Sequence, residues 1–231
     1  MAKKSKSNLT TPTLDYEVGV GFPAVNILGV DEVGRGCLAG PVVAAAVCLP
    51  QDWSMPISDL FQKQPILSKV NDSKLLSSKM REQVSDFLKK NLRYYSISEC
   101  SPQEIDEINI FQASLKAMAH AVNETIQKSQ VDASCFHLLV DGSHAPSGVP
   151  CSSTSIVKGD QKSLSIACAS ILAKVYRDDL MKKMEAQYPG YGFAVHKGYA
   201  TSMHRSALKL QGPCVIHRKS FSPIKEMVQF I

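Results

Sequence analysis

Continuous and alternating apolar runs divide the chain into strand-like and helix-like stretches. Five runs predict strands: VNILGVDEV (25–33), PVVAAAVCL (41–49), LRYYSIS (92–98), FHLLVD (136–141) and STSIV (153–157). Between them, apolar residues recur at helical spacing. SKLLSSKMREQVSDFLKK (73–90) places Leu76, Met80, Val84, Phe87 and Leu88 on one face. The next helix opens at Ser101, with Pro102 at its first position and Glu104 completing an S-x-x-E capping box. It carries Ile105, Ile108, Leu115, Met118 and Val122 inward and ends near Lys128. A third, SLSIACASILAKVYRDDLMKKM (163–184), begins just after Asp160, and the small residues of its first half suit close packing against a sheet. A proline-glycine break in QYPGYG (187–192) precedes a C-terminal stretch that reads as a small helical appendage.

This order predicts an α/β fold, a mixed five-stranded sheet flanked by helices. Residues 25–190 form the main domain, 191–231 a helical extension packed on it, and 1–24 a disordered basic tail. No apolar run approaches the ~20 residues that span a bilayer, and no apolar core follows the N-terminal lysines as in a secretory signal. With 44% hydrophobic and 20% charged residues the composition is that of a soluble globular protein. Its 7 cysteines are scattered without a C-x-x-C pair, which points to reduced thiols in the cytoplasm and away from zinc. The net charge is +5, and residues 196–231 alone hold six Lys/Arg against one acid. That segment suits a polyanion such as nucleic acid, or is simply a solvated basic face.

The candidate chemistry centres on VDEVGRGCLAGPV (30–42). GRGCLA matches the dinucleotide fingerprint G-x-G-x-x-A, but Pro41 falls where the required helix would make its second turn, and VVAAAVCL reads as another strand. No P-loop is present. Two further acids accompany Asp31 and Glu32. Asp141 ends the strand FHLLVD, and Asp160 follows SIVKG where a helix N-cap is expected. Any one of these is ordinarily a turn residue or cap. Three strands each delivering an acid predict a cluster, and clustered carboxylates are resolved by a hard divalent cation, Mg²⁺ or Mn²⁺. Neighbours on a regular strand face opposite ways, so Asp31 and Glu32 share such a site only if the strand bends or one acid acts through its backbone or a water. The sequence leaves both open.

Taken in order, GVDEVGRGCLAGPVVAAAV, NDSKLLS, EIDEINI, LLVDGS, VKGD, SILAKVYRD, YGFAVHKGYAT and HRKSFSP resemble bacterial ribonuclease HII, over roughly residues 25–225. The resemblance implies a ribonuclease H-like fold. It also implies an endonuclease that hydrolyses RNA in RNA/DNA hybrids and cuts 5′ of single ribonucleotides in duplex DNA, leaving a 3′-hydroxyl and a 5′-phosphate. It places the catalytic and metal-binding quartet on Asp31, Glu32, Asp141 and Asp160. Gly34, Arg35 and Gly36 become the turn that reads the ribose 2′-hydroxyl, and Tyr199 the residue that stacks beside the following nucleotide. Lys74, Lys174, Arg177, His196, Lys197 and Arg218 lie in matching motifs and are assigned to phosphate contact or its support. For Lys174 and Arg177 an ion pair with a nearby acid is an equal alternative.

The missing N-terminal domain, and Asp160 where ribonuclease HIII carries glutamate, argue against that sister type. A junction resolvase would lack the ribose-reading turn and the tyrosine. A noncatalytic nucleic-acid-binding module would have no use for the acids. The expected working form is a monomer, and the terminal EMVQFI either docks to a sliding clamp or packs on the domain.

Overall fold

In the computed structural model, which describes residues 11–70 and 76–228, the strands are β1 (Asn26–Val33), β2 (Val42–Cys48), β3 (Tyr94–Cys100), β4 (Phe136–Asp141) and β5 (Ser152–Ile156). They form one sheet in the order β3-β2-β1-β4-β5. β2 pairs antiparallel with β1 and β3, while β1, β4 and β5 run parallel to one another. The helices are α1 (Asp15–Gly19), α2 (Ile57–Lys63), α3 (Ser78–Asn91), α4 (Pro102–Ser129), α5 (Leu164–Gln187), α6 (Phe193–His196), α7 (Ser202–Gln211) and α8 (Ile224–Val228). This is the expected mixed five-stranded sheet, flanked by helices and followed by a C-terminal helical segment. None of the described helices is long and apolar enough to cross a membrane, and the seven cysteines stand free.

β2 is buried along its whole length because both faces of the sheet are covered. Val43, Ala45 and Val47 join the core under α5, while Val42, Ala44, Ala46 and Cys48 join the core under α4. The alanines let both helices approach closely. At Gly29 of β1 the approach is closest: an added Cβ would stand 2.3 Å from the Ser165 carbonyl carbon and 2.6 Å from the Ile166 nitrogen. Only glycine lets α5 begin there.

The structure corrects several boundaries. α3 starts at Ser78 with Ser77 as its cap, later than the 73 expected from periodicity, and β3 runs two residues later than expected. α4 has the expected capping box, but it breaks at Asn109 (φ 66°), whose Oδ1 accepts from the Phe111 and Gln112 amides and starts the helix a second time. Asp160 is not a helix cap. It sits in a 3₁₀ turn, Gly159–Gln161, and Ser163 caps α5. The tail expected over 1–24 is corrected from residue 11 onward. Thr13 bridges to Ser163, Leu14 and Phe22 are buried, and Glu17 Oε1 accepts from Ser163 Oγ (2.6 Å) and the Ser165 amide (2.8 Å). Pairing to residues some 150 positions away orders this stretch, and no local periodicity announces it.

Candidate active site

β1, β4 and β5 end at the same edge of the sheet, the carboxyl end of parallel strands, where open α/β sheets bind ligands. Asp31 and Glu32 come from the end of β1, Asp141 is the last residue of β4, and Asp160 lies in the turn after β5. All four line one cavity of about 660 Å³. The register resolves how two neighbours share it. Asp31 pairs with Ala45 and lies on the α5 face, and Glu32 pairs with Ala44 and lies on the α4 face. Pairing between β1 and β4 stops at Val30–Val140, so beyond it the sheet is open and both faces border the same space. Glu32 and Asp141 also border a smaller adjoining cavity beside Phe111 and His144.

The acids are held by amides and one arginine. Asp31 Oδ1 accepts from the Glu32 amide (2.7 Å), Asp141 Oδ1 from the Gly159 amide (2.6 Å), and Glu32 Oε1 meets Arg35 Nη1 at 3.1 Å. Ser170 of α5 donates to Asp31. Burial, then the charges of Glu32 and Asp141, hold the Asp31 carboxyl well above the usual range. Burial also raises Glu32, against the pull of Arg35. An all-carboxylate donor set that resists its own ionisation fits a hard divalent cation. As the side chains stand, no three acids among the described residues are gathered closely enough to hold an ion, and Asp31, Asp141 and Glu32 are turned to the donors just named. Closing on an ion takes rotation of these side chains.

Gly34–Gly36 forms the wall beside the acids. Gly34 has φ +97°, and a Cβ there would stand 2.3 Å from Arg177 Nε. Gly36 is different: an added Cβ meets nothing within 4 Å, so the protein's own packing does not require glycine at that position. The turn's carbonyls are taken from behind. Arg218 donates to Gly34 O (2.7 Å), Arg35 O (2.8 Å) and Gly40 O (2.9 Å), and Arg177 donates to Ala39 O (3.0 Å) and Pro41 O (2.9 Å). Among the described residues the Arg35 and Gly36 amides donate to no backbone carbonyl. The C-terminal segment grips the same loop through the Cys37–Tyr199 and Ala39–His217 bridges.

Tyr199 lines the cavity at 38% exposure. Lys174 Nζ lies 5.8 Å from its ring centre and pairs with Asp178 at 2.7 Å, the ion pair between neighbouring helical turns that the spacing allowed. Arg35 is half-exposed at the mouth. None of the other described basic candidates lines the cavity. Arg177 and Arg218 are fully buried and spend their donors on carbonyls, so they support the loop and present no charge to a phosphate. His196 is buried too, between the Tyr191 carbonyl and the Gly198 amide. Lys197 turns to the Ala194 carbonyl and does not line the cavity. Lys74 lies outside the described residues. Sequence reasoning missed Ser170 and Arg81, which both line the cavity; Arg81 Nη2 lies 3.7 Å from Asp178. Ser170, Lys174 and Asp178 recur every four residues on α5, a signal visible only once the sheet-facing side of that helix is known.

Residues 28–224 match the family model described as Ribonuclease HII. The chain is 47% identical over 211 residues to a ribonuclease HII of Chlamydia caviae, covering 91% of this chain and 89% of that one. To a ribonuclease HII of Bacillus mycoides it is 46% identical, over 88% of this chain and 71% of that one. Among solved structures, ribonuclease H2 of Pyrococcus horikoshii superposes with TM-score 0.68 at 23% identity, over 89% of this chain and 98% of that one. The ribonuclease HII of Archaeoglobus fulgidus, solved with PCNA, gives 0.63 at 24% identity, over 86% and 96%. Bst-RNase HIII in complex with Mn²⁺ gives 0.70 at 14% identity, over 91% and 71%. These structural likenesses show a shared fold.

Proposed function

The chain belongs to the ribonuclease HII family and is a ribonuclease H-type nuclease, and from that premise we propose its substrate and chemistry. It hydrolyses the RNA strand of RNA/DNA hybrids and cuts 5′ of single ribonucleotides embedded in duplex DNA, leaving a 3′-hydroxyl and a 5′-phosphate. One observation carries this reading: the four acids, the Gly34–Gly36 turn and Tyr199 line a single cavity.

Asp31, Glu32, Asp141 and Asp160 would hold Mg²⁺ or Mn²⁺, which when bound supplies water activation and neutralisation of phosphate charge. The protein's own groups position the strand. With the Gly34 and Arg35 carbonyls bound to Arg218, the Arg35 and Gly36 amides are the donors left to meet the ribose 2′-hydroxyl, the group that marks RNA. The empty space at Gly36 lets a sugar approach the backbone. The Tyr199 ring, which lines the same cavity, packs against the next sugar and fits a deoxyribose. Arg35 sits at the mouth, ready to leave Glu32 for a phosphate.

All these groups come from one chain, which supports a monomer as the working unit. Free cysteines fit a reducing cytoplasm. Met227 and Val228 pack on the extension's own apolar cluster, which supports packing over clamp docking for that part of EMVQFI; residues 229–231 lie outside those described. The test is cation-dependent cleavage of an RNA/DNA hybrid, with Asp31→Asn and Asp141→Asn each reducing it by about 10²-fold or more. Undiminished cleavage by both variants would overturn the assignment of the quartet.

A further inference from the structure

Within the C-terminal segment, against the Tyr199 backbone, lies a buried group of three histidines. His204 and His217 are almost wholly enclosed, and His196 stacks on His204 at 4.3 Å between ring centres. Phe193 lies edge-on to His204 at 5.5 Å and tilted against His217 at 5.6 Å.

Only one proton arrangement leaves His204 and His217 uncharged and still gives the Tyr199 carbonyl its donor. His204 Nδ1 stands 3.0 Å from the Tyr199 carbonyl, which can only accept, so Nδ1 carries hydrogen. In a neutral ring Nε2 is then the acceptor, and it faces His217 Nε2 at 3.0 Å, which must donate. That leaves His217 Nδ1 to accept from the Cys214 amide at 2.9 Å. The reverse arrangement has His217 Nδ1 donating to the Cys214 carbonyl at 3.2 Å, and it makes His204 a donor at both nitrogens, a buried cation. Burial opposes that charge: it pushes His204 below the ordinary range and His217 down to about 4. At His196, Nε2 donates to the Tyr191 carbonyl and Nδ1 accepts from the Gly198 amide.

We propose that His204 and His217 are positioning residues for Tyr199. The directed chain runs from the Cys214 amide through His217 and His204 to the Tyr199 carbonyl. It fixes where the tyrosine stands in the cavity and so sets the preference for a deoxyribose beside the ribonucleotide. This rests on the reading that Tyr199 meets that sugar. The same tyrosine is held as well by its bridge to Cys37 and by its amide on the His196 carbonyl, and its ring meets Lys174 at 5.8 Å and the Cys37 side chain.

Two measurements test the inference. In the first, long-range ¹⁵N–¹H correlation spectra of the full chain at neutral pH should show His204 protonated at Nδ1 and His217 at Nε2, both neutral. Reversed tautomers or a charged ring would overturn the relay. The second is the ratio of cleavage at a single ribonucleotide in DNA to cleavage of a uniform RNA/DNA hybrid. His204→Leu, which fills the space without a donor, should lower that ratio about tenfold. His204→Asn, whose amide nitrogen can stand near the place of Nδ1, should keep most of it. A His204→Leu enzyme with the wild-type ratio overturns this inference alone. A wild-type enzyme that cuts uniform hybrid with no junction preference overturns the Tyr199 reading, and the inference with it.

Discussion

Asp31 is 6% exposed among three other carboxylates, and its ionisation is opposed first by burial and then by the charges of Glu32 and Asp141. Folding raises the pKa of both Asp31 and Glu32, so the native state holds these protons more tightly than the unfolded chain. Their contribution to stability is fully present below the unfolded values, about 4, and is lost as pH rises through the raised folded values. Asp31→Asn should therefore raise Tm at neutral pH, by about 2–4 °C for each kcal/mol of repulsion removed, and flatten the fall of Tm with rising pH. A calorimetric pH series checks this, and an unchanged or lower Tm would show that the cluster is not strained. Millimolar Mg²⁺ or Mn²⁺ should raise the Tm of the wild type and leave that of an Asp31→Asn, Asp141→Asn double variant unmoved. Glu17, which does not line the cavity, titrates with the same sign: its carboxyl is raised by burial, and Oε2 has no hydrogen-bond partner among the described residues. Glu17→Gln should flatten the same pH series while cleavage stays at the wild-type level.

The turn 34–36 separates packing from function at the scale of one element. Gly34→Ala puts a Cβ against Arg177 at positive φ and should cost about 1–3 kcal/mol of stability in denaturant titration. Gly36→Ala meets open space, so its stability should change by less than about 0.5 kcal/mol while KM for a ribonucleotide-containing duplex rises. A Gly36→Ala enzyme with unaltered KM would remove this turn from substrate reading. Local signals in the chain reached many such elements. The Ser101–Glu104 capping box is formed, and Asp141 ends its strand where the apolar run FHLLVD ends. They did not reach the break at Asn109, because an asparagine within a periodic run reads as one more polar helical residue. They placed Asp160 next to a helix start but not in its turn, since Ser163 is an equally good cap and only the packed structure chooses between them.

Across the whole molecule, the C-terminal extension is tied to the catalytic edge through buried guanidinium groups. A count of six Lys/Arg in residues 196–231 reads as a phosphate-binding surface, yet Arg218 is wholly buried and Lys197 turns to a neighbouring carbonyl, leaving Arg205, Lys209, Lys219 and Lys225 exposed. Neither a charge count nor a shared motif can tell an arginine that meets phosphate from one that holds carbonyls together, so the sequence leaves Arg177 and Arg218 open between phosphate contact and its support. Arg218→Met keeps the stem but leaves the Arg35 and Gly40 carbonyls unmet and the Gly34 carbonyl with only the Cys37 amide, so it should cost about 2–4 kcal/mol, read by denaturant titration. Duplex affinity should fall with salt as only a few released counterions require, with a slope near −0.9 for each phosphate neutralised. The succession of strands and helices along the chain, and the acids at strand ends, were legible because apolar runs and their ends are local. The helix-to-strand closeness at Gly29 and the histidine relay join residues far apart, and only the folded chain shows them.

The most direct measurement uses duplex DNA carrying one ribonucleotide, beside the same duplex in all-DNA form, with and without Mg²⁺ or Mn²⁺. A single cut 5′ of the ribonucleotide, dependent on the cation and ending in a 3′-hydroxyl and a 5′-phosphate, is the result expected. Cleavage of the all-DNA duplex at a comparable rate, or an intact ribonucleotide junction with the cation present, would contradict it.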